Sequence, residues 1–114
     1  MLRILHNPRC GKSRDCLLFT TGTKVPFEVV NYLENPLTVD ELKDLIKKLK
    51  IKPIELIRKK EPIWIEKYMD KKMTNDQIIK AIAKYPILMQ RPIVIDGEKA
   101  ILGRELDKLE AFLK

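Results

Sequence analysis

Residues 2–32 indicate the topology, and they have the sequence LRILHNPRCGKSRDCLLFTTGTKVPFEVVNY. Their apolar pattern predicts a strand over residues 2–5 and another over residues 25–32. A helix over about residues 11–19, ending before Gly22, is expected between them. A helix that joins two neighbouring strands makes them parallel, with a right-handed crossover. The chain is therefore predicted to begin as a β-α-β unit.

The middle of the chain is predicted to be helical. Residues 38–41 (TVDE) and 74–77 (TNDQ) are capping boxes, in which the first and last side chains each bind a backbone N–H group at a helix start. Apolar residues follow each box at steps of three and four, as on one face of an amphipathic helix. Pro53 suits the first turn of another helix, and residues 63–68 are expected to form a brief helix or a loop.

Strand patterns return near the end of the chain. Residues 92–95 and 99–102 are predicted strands, and Asp96-Gly97 between them is a strong signal for a two-residue hairpin. A last helix is expected to begin after Gly103. This part of the chain therefore adds a β-β-α unit.

Together these patterns predict an α/β fold class and a single domain, residues 1–114. Its core, residues 1–33 and 87–114, is expected to have the thioredoxin-like order β-α-β … β-β-α, with an inserted helical subdomain over about residues 37–85. A chain of 114 residues buries about two-thirds of the surface of its unfolded form. Such a core needs neither a disulfide framework nor a structural metal.

Composition bears on location and partners. No apolar run approaches the roughly 20 residues that cross a bilayer, and residues 2–5 are too short and polar a start for a signal peptide. We therefore expect a cytoplasmic protein with no membrane partner.

Lys and Arg number 23 against 16 Asp and Glu, a net charge of +7, which favours anionic partners. The lysines fit either a solvated surface or a nucleic-acid footprint. Only 6% of residues are aromatic, and they are scattered along the sequence without a visible base-stacking platform. Nucleic acid is therefore not expected as a partner.

The cysteine pattern argues against a metal site. Cys10 and Cys16 are the two cysteines and His6 is the one histidine, so neither a C-x-x-C pair nor a set of four metal ligands exists. No metal is expected. In a reducing cytosol both cysteines are expected to be free thiols.

Cys10 is the candidate nucleophile. It lies in the turn between the first strand and its helix, at the functional edge of an α/β sheet and the positive end of the helix dipole. Free N–H groups of the first helical turn can bind an anion, and Arg9 and Arg14 add positive charge. A thiol pKa below about 8.5 is expected. The alternative is a small apolar cysteine packed under a loop.

The other cysteine is not expected to take part. Ser13 occupies the position where a dithiol oxidoreductase carries its second cysteine. Cys16 lies roughly 8 Å further along the helix axis at about 1.5 Å per residue, and a disulfide needs Cα atoms within about 7 Å. We interpret Cys16 as a core residue, so the reductant must be a small thiol or a second protein.

Three arginines are candidate oxyanion ligands: Arg58 in the insert, Arg91 before a predicted strand, and Arg104 near the last helix. Arg91-Pro92 matches the cis-proline loop of thioredoxin folds, which lies beside the reactive cysteine. Arginine makes forked contacts with a tetrahedral oxyanion, whereas lysine acts only as a point charge. For each arginine taken alone, a solvated surface role is the better interpretation, and only their conjunction with Cys10 favours an oxyanion site.

Four segments resemble the glutaredoxin-coupled arsenate reductase (ArsC-like) family, in order and spacing over almost the whole chain. They are residues 6–14 (HNPRCGKSR), 56–61 (LIRKKE), 90–94 (QRPIV) and 103–104 (GR). The resemblance implies that Cys10 forms a thiol-arsenate adduct, that Arg58, Arg91 and Arg104 bind the oxyanion, and that His6 and Ser13 support ionisation of the cysteine. Arg14 and Pro92 would have supporting positions.

The same resemblance implies the partners. Glutathione would be a co-substrate that reduces the adduct and releases arsenite, glutaredoxin would clear the mixed disulfide, and no bound cofactor is expected. Two residues depart from the family pattern: Arg9 stands where a small residue is usual, and Glu105 where a proline often follows the arginine.

Related Spx-type regulators bind RNA polymerase, and they usually carry C-x-x-C, which Ser13 replaces here. The alternative is therefore an ArsC-like redox or interaction protein without arsenate turnover, with RNA polymerase as a partner only in that case.

Overall fold

The computed structural model describes residues 2–114, and the chain divides into two units, each described by itself. The first unit is the chain up to Asn35 together with Arg91–Lys114, and the second is Pro36–Gln90. The elements in chain order are β1 (Leu2–His6), α1 (Gly11–Thr23), β2 (Phe27–Asn31), α2 (Val39–Leu49), a 3-10 helix (Pro53–Leu56), α3 (Pro62–Lys67), α4 (Asn75–Lys84), a second 3-10 helix (Pro86–Leu88), β3 (Ile93–Asp96), β4 (Lys99–Leu102) and α5 (Leu106–Leu113).

The first unit contains a four-stranded sheet in the order β2-β1-β3-β4. β1 and β2 are parallel, whereas β3 runs antiparallel to both β1 and β4. The predicted α/β class and thioredoxin-like order of elements are therefore confirmed. Because β1 and β3 are antiparallel neighbours, the loop that leaves β1 for α1 lies next to the segment that enters β3.

An apolar cluster holds the helices of this unit against the sheet. Ile4, Cys16, Val94 and Leu109 are each 0% exposed, which joins β1, α1, β3 and α5 in one core. Burying a side chain of this size contributes roughly 1.5–3 kcal/mol.

Gly103 lies where an added side chain would be tightly packed. A Cβ atom there would be 3.1 Å from the Cys16 sulfur and 3.3 Å from carbons of Pro92 and Val94. Its N–H donates to the Pro92 carbonyl at 2.9 Å. Because Gly103 has no side chain, the chain after β4 can lie beside Pro92 and close to the Cys16 side chain of α1.

The second unit is helical, as predicted. Both capping boxes form: Glu41 N–H donates to the Thr38 hydroxyl at 3.2 Å, and Gln77 N–H donates to the Thr74 hydroxyl at 3.2 Å. The segment at residues 63–68, predicted as a brief helix or a loop, is largely within the short helix α3. None of the helices among residues 2–114 has the length and apolar character that would let it cross a bilayer.

Several predicted boundaries were wrong. α1 continues through Gly22 to Thr23. The hydroxyls of Thr20 and Thr21 bond to the carbonyls of Cys16 and Leu17 at 2.8 and 2.7 Å, so these two side chains do not compete with the helix by capping elsewhere. The chain leaves α1 through Lys24, which has a positive φ of 64°.

The hairpin and the last helix are also displaced. Asp96 pairs with Lys99, so the two loop residues are Gly97 and Glu98, one residue later than predicted. Gly97 has a φ of +61°, as the first loop residue of a type II′ turn requires. α5 begins at Leu106 rather than directly after Gly103, whose N–H is still bonded to the sheet.

Candidate active site

Cys10 is the N-cap residue of α1. Its backbone is extended, with φ −96° and ψ 123°, and its carbonyl accepts from Arg14 N–H at 3.1 Å. The thiol is partly exposed and free. It therefore stands at the positive end of a 13-residue helix, where N–H groups without helical partners point outward.

Asn7 closes the loop that presents Cys10. Its carbonyl accepts from Cys10 N–H at 3.0 Å, and its side-chain oxygen accepts from Arg9 N–H at 3.0 Å. Its own N–H donates to the hydroxyl of the buried Ser13 at 3.3 Å. Three groups of one residue, itself only 2% exposed, therefore fix the path from β1 into α1.

The pKa of the Cys10 thiol is lowered by its surroundings. Burial alone would raise this pKa, but hydrogen bonds from Ser13 N–H, the Arg91 side chain and Lys12 N–H, together with the charge of Arg91, outweigh burial. The donors favour the thiolate because they bind its negative charge. This raises the fraction of the nucleophilic form at neutral pH.

Arg91 comes to Cys10 from the far end of the sequence. It lies two residues before β3, the neighbour of β1, and the peptide bond between Arg91 and Pro92 is cis. Its side chain is largely buried, with the residue 9% exposed, and it donates to the Cys10 sulfur. The guanidinium is thus held beside the Cys10 sulfur.

His6 ends β1 just before the loop. It is 8% exposed, and its Nδ1 has no hydrogen-bond partner. Burial, and then the charge of Arg14, lower its pKa below 6.5. His6 is therefore largely neutral at pH 7 and adds no charge beside the thiol. Arg14 is exposed, and its guanidinium donates to the Pro8 carbonyl at 3.4 Å.

Cys16 is sealed in the core of the first unit, as predicted. It is 0% exposed, and burial raises the pKa of its thiol to about 11 despite a hydrogen bond with Thr20. A protonated and inaccessible thiol does not attack a disulfide or an adduct.

Arg104 lies in the turn between β4 and α5, within the same unit as Cys10, and it is exposed. Glu105, which follows it, forms an ion pair with Lys108 at 3.3 Å. The carboxylate of Glu105, the residue that departs from the family pattern, is thus paired with a lysine in the first turn of α5. The backbone of Arg9, the other departure, is tied to Asn7, while the residue itself is exposed.

Arg58 belongs to the second unit. Its N–H donates to the Leu88 carbonyl at 2.7 Å, and its guanidinium lies 3.5 Å from the Glu61 carboxylate. Its place among the oxyanion ligands remains a prediction from sequence. The residues that the structure brings together around the sulfur are Cys10, Ser13 and Arg91, with the Lys12 backbone.

Sequence reasoning assigned no role to Asn7, although its neighbours were singled out. An available signal was its side chain, since asparagine in a loop commonly accepts from the N–H group two residues later. That bond, to Arg9 N–H, is present here.

Comparison with known proteins gives consistent matches. The ArsC family model matches residues 5–112. An arsenate reductase of Neisseria meningitidis serogroup B is 40% identical over 114 residues, covering 98% of this chain and 97% of that protein. The uncharacterized protein YfgD of Escherichia coli K12 is 41% identical over 105 residues, covering 90% of this chain and 88% of that one.

A solved structure extends the similarity to the fold. An arsenate reductase from Vibrio cholerae superimposes with a TM-score of 0.90 at 32% identity, over 96% of this chain and 95% of that chain. The likeness therefore spans nearly the full length of both the sequence and the architecture.

Proposed function

Because the chain belongs to the ArsC family, we propose that it is an arsenate reductase that works through the single nucleophilic cysteine Cys10. The observation that carries this proposal is the lowered thiol pKa at a helix N-terminus, with the Arg91 guanidinium donating to the same sulfur. A thiolate next to a group that binds tetrahedral oxyanions is the arrangement that attack on arsenate needs.

The first step forms the sulfur–arsenic bond. The Cys10 thiolate attacks the arsenic of arsenate, and one arsenate oxygen leaves as water after taking up protons. Arg91 binds the remaining oxygens and neutralises their charge. By the family resemblance, Arg58 and Arg104 complete the oxyanion site, and neutral His6 with Ser13 supports the cysteine.

The second step transfers two electrons. A glutathione thiolate attacks the Cys10 sulfur, and the sulfur–arsenic bond breaks with its electron pair left on arsenic, which departs as arsenite. Cys10 then carries a mixed disulfide with glutathione, which glutaredoxin reduces. An external thiol is required because Cys16 is buried and its thiol has a pKa of about 11. This chemistry suits the reducing cytoplasm, where we place the protein.

A coupled assay tests the proposal. Arsenate is supplied with glutathione, glutaredoxin, glutathione reductase and NADPH, and arsenate-dependent NADPH oxidation is followed. Cys10→Ser is expected to abolish turnover, while Cys16→Ser is expected to retain it. Replacing glutathione and glutaredoxin with thioredoxin and its reductase is expected to give no turnover.

The opposite results separate the alternatives. Turnover with thioredoxin alone would assign a different reductant. Absence of arsenate turnover in the wild type, with RNA polymerase co-purifying, would favour an interaction protein of the Spx type.

A further inference from the structure

The second unit has a surface cavity that the proposed reaction does not use. It has a volume of about 340 Å³ and lies between α4 and the chain that follows α3. A tetrahedral oxyanion is far smaller than this space, whereas sites for small organic molecules start near 300 Å³. Its principal lining residues are Tyr68, Lys71, Lys72, Met73, Lys80 and Lys84.

Positive charge in this cavity is not compensated. Four lysines line it and no carboxylate does. Among residues 2–114, none of the four has an ion pair, whereas Lys43 and Lys48 on α2 are paired with carboxylates at 3.8 and 3.1 Å. The four positive charges repel one another. An anion that binds between them is attracted to each lysine and reduces this repulsion.

The net charge of the second unit as a whole adds to the positive electrostatic potential of the cavity. Residues 36–90 contain 13 Lys and Arg against 8 Asp and Glu, so 13 − 8 = +5 of the net charge of +7 lies there. A cleft lined by one sign of charge concentrates ligands of the opposite sign.

Aromatic rings border the lysines. The Trp64 and Tyr68 ring centroids are 5.6 Å apart, and those of Tyr68 and Tyr85 are 6.4 Å apart. Lys84 Nζ lies 5.4 Å from the Tyr85 centroid. Trp64 and Tyr68 are one helical turn apart, and folding of the second unit brings Tyr85 to Tyr68. Tyr68 and Met73 thus give the cavity a nonpolar wall.

We propose that this cavity binds a nucleoside phosphate: an anion with several phosphate charges for the lysines and a flat aromatic base for the Tyr68 side. The lysines hold the phosphates as point charges, and the base stacks against the ring. All lining residues belong to the second unit, so this binding does not depend on the chemistry at Cys10.

The chain provides its own reporter for the test. Trp64 is the one tryptophan, and its ring contacts that of Tyr68. Titration with ATP at low salt is expected to change the fluorescence emission of Trp64, and the change is expected to saturate. Adenosine and inorganic tripolyphosphate are each expected to bind at least about 10-fold more weakly, since each lacks one half of the contacts.

Matched variants then locate the site. Lys80→Gln with Lys84→Gln is expected to weaken ATP binding about 10-fold or more. Lys47→Gln with Lys60→Gln removes the same amount of charge from lysines outside the cavity, and this control is expected to change the affinity for ATP little. Tyr68→Leu, measured by calorimetry, is expected to weaken ATP but not tripolyphosphate. Thermal melting verifies that every variant is folded.

Three outcomes overturn the proposal. Equal losses in the two double-lysine variants would mean general attraction to a basic surface. Equal affinity for tripolyphosphate and ATP would mean that the base is not recognised. An oligo(dT) strand that binds through the same lysines and excludes ATP at much lower concentration would make the surface a nucleic-acid site instead.

Discussion

Arg91 donates a hydrogen bond to the sulfur of Cys10, although the whole second unit separates them in the sequence. The loop after β1 and the chain entering β3 meet because these strands are neighbours in the sheet. The guanidinium therefore favours the thiolate, and we propose that it also binds the oxyanion that the thiolate attacks.

Replacing Arg91 with lysine separates charge from geometry. Arg91→Lys keeps the positive charge but loses the forked donor, so arsenate binding is expected to weaken by about 1–3 kcal/mol. Calorimetry with the Cys10→Ser background prevents turnover during the measurement. Arg9→Lys, at an exposed neighbour, is the control. Equal affinity in Arg91→Lys and its parent would remove Arg91 from the oxyanion site.

Asn7 is expected to control the thiol pKa through the loop. Asn7→Ala removes the acceptor for Arg9 N–H, which loosens the N–H groups aimed at the sulfur and raises the Cys10 pKa. Asn7→Ser restores part of the effect, because a serine hydroxyl makes the same local bond more weakly. The pH dependence of iodoacetamide alkylation measures the pKa. An unchanged profile in a folded Asn7→Ala protein would leave Asn7 a structural residue only.

Cys16 is expected to make stability fall at alkaline pH. Its thiol has a pKa of about 11 in the fold against 9.0 as the reference, so the unfolded chain loses this proton first. The stabilisation is complete below pH 9, and about 2–3 kcal/mol is lost as pH rises from about 9 to 11. Urea unfolding of the wild type and Cys16→Ala across this range measures the difference. Parallel pH profiles in the two proteins would show that the Cys16 thiol is not perturbed.

Gly103 is expected to tolerate no side chain. Gly103→Ala places a methyl group 3.1 Å from the Cys16 sulfur, at a cost of about 1–3 kcal/mol in free energy of unfolding. Adding Cys16→Ala removes that sulfur and should recover part of the loss, as a double-mutant cycle reveals. Gly22→Ala, with open space around the new atom, is expected to stabilise α1 by about 0.5–1 kcal/mol. Equal effects of the two glycine substitutions would contradict the close packing.

Local signals in the sequence predicted much of the fold. The two capping boxes fixed the starts of α2 and α4, because their bonds span only three residues. The end of α1 was predicted too early because threonine and glycine are weak helix formers, whereas in the fold both threonine hydroxyls bond to carbonyls of the same helix.

Features that depend on distant residues were less accessible. The candidate nucleophile followed from its turn between strand and helix, but the bonds of Asn7 depend on the folded path of the loop. The start of α5 depends on the bond between Gly103 and Pro92, and the contact between Tyr68 and Tyr85 joins residues that are far apart in the sequence. The bonds of the Gly103 N–H and the meeting of Tyr68 with Tyr85 are not contained in any pattern of neighbouring residues.

Two of the donors to the Cys10 sulfur are main-chain N–H groups, those of Lys12 and Ser13. Every amino acid except proline supplies such a group, so the identity of the exposed side chain at position 12 is decoupled from the acidity of the thiol. The side chain at position 12 can therefore be exchanged while this part of the thiolate's stabilisation stays tied to the course of the backbone.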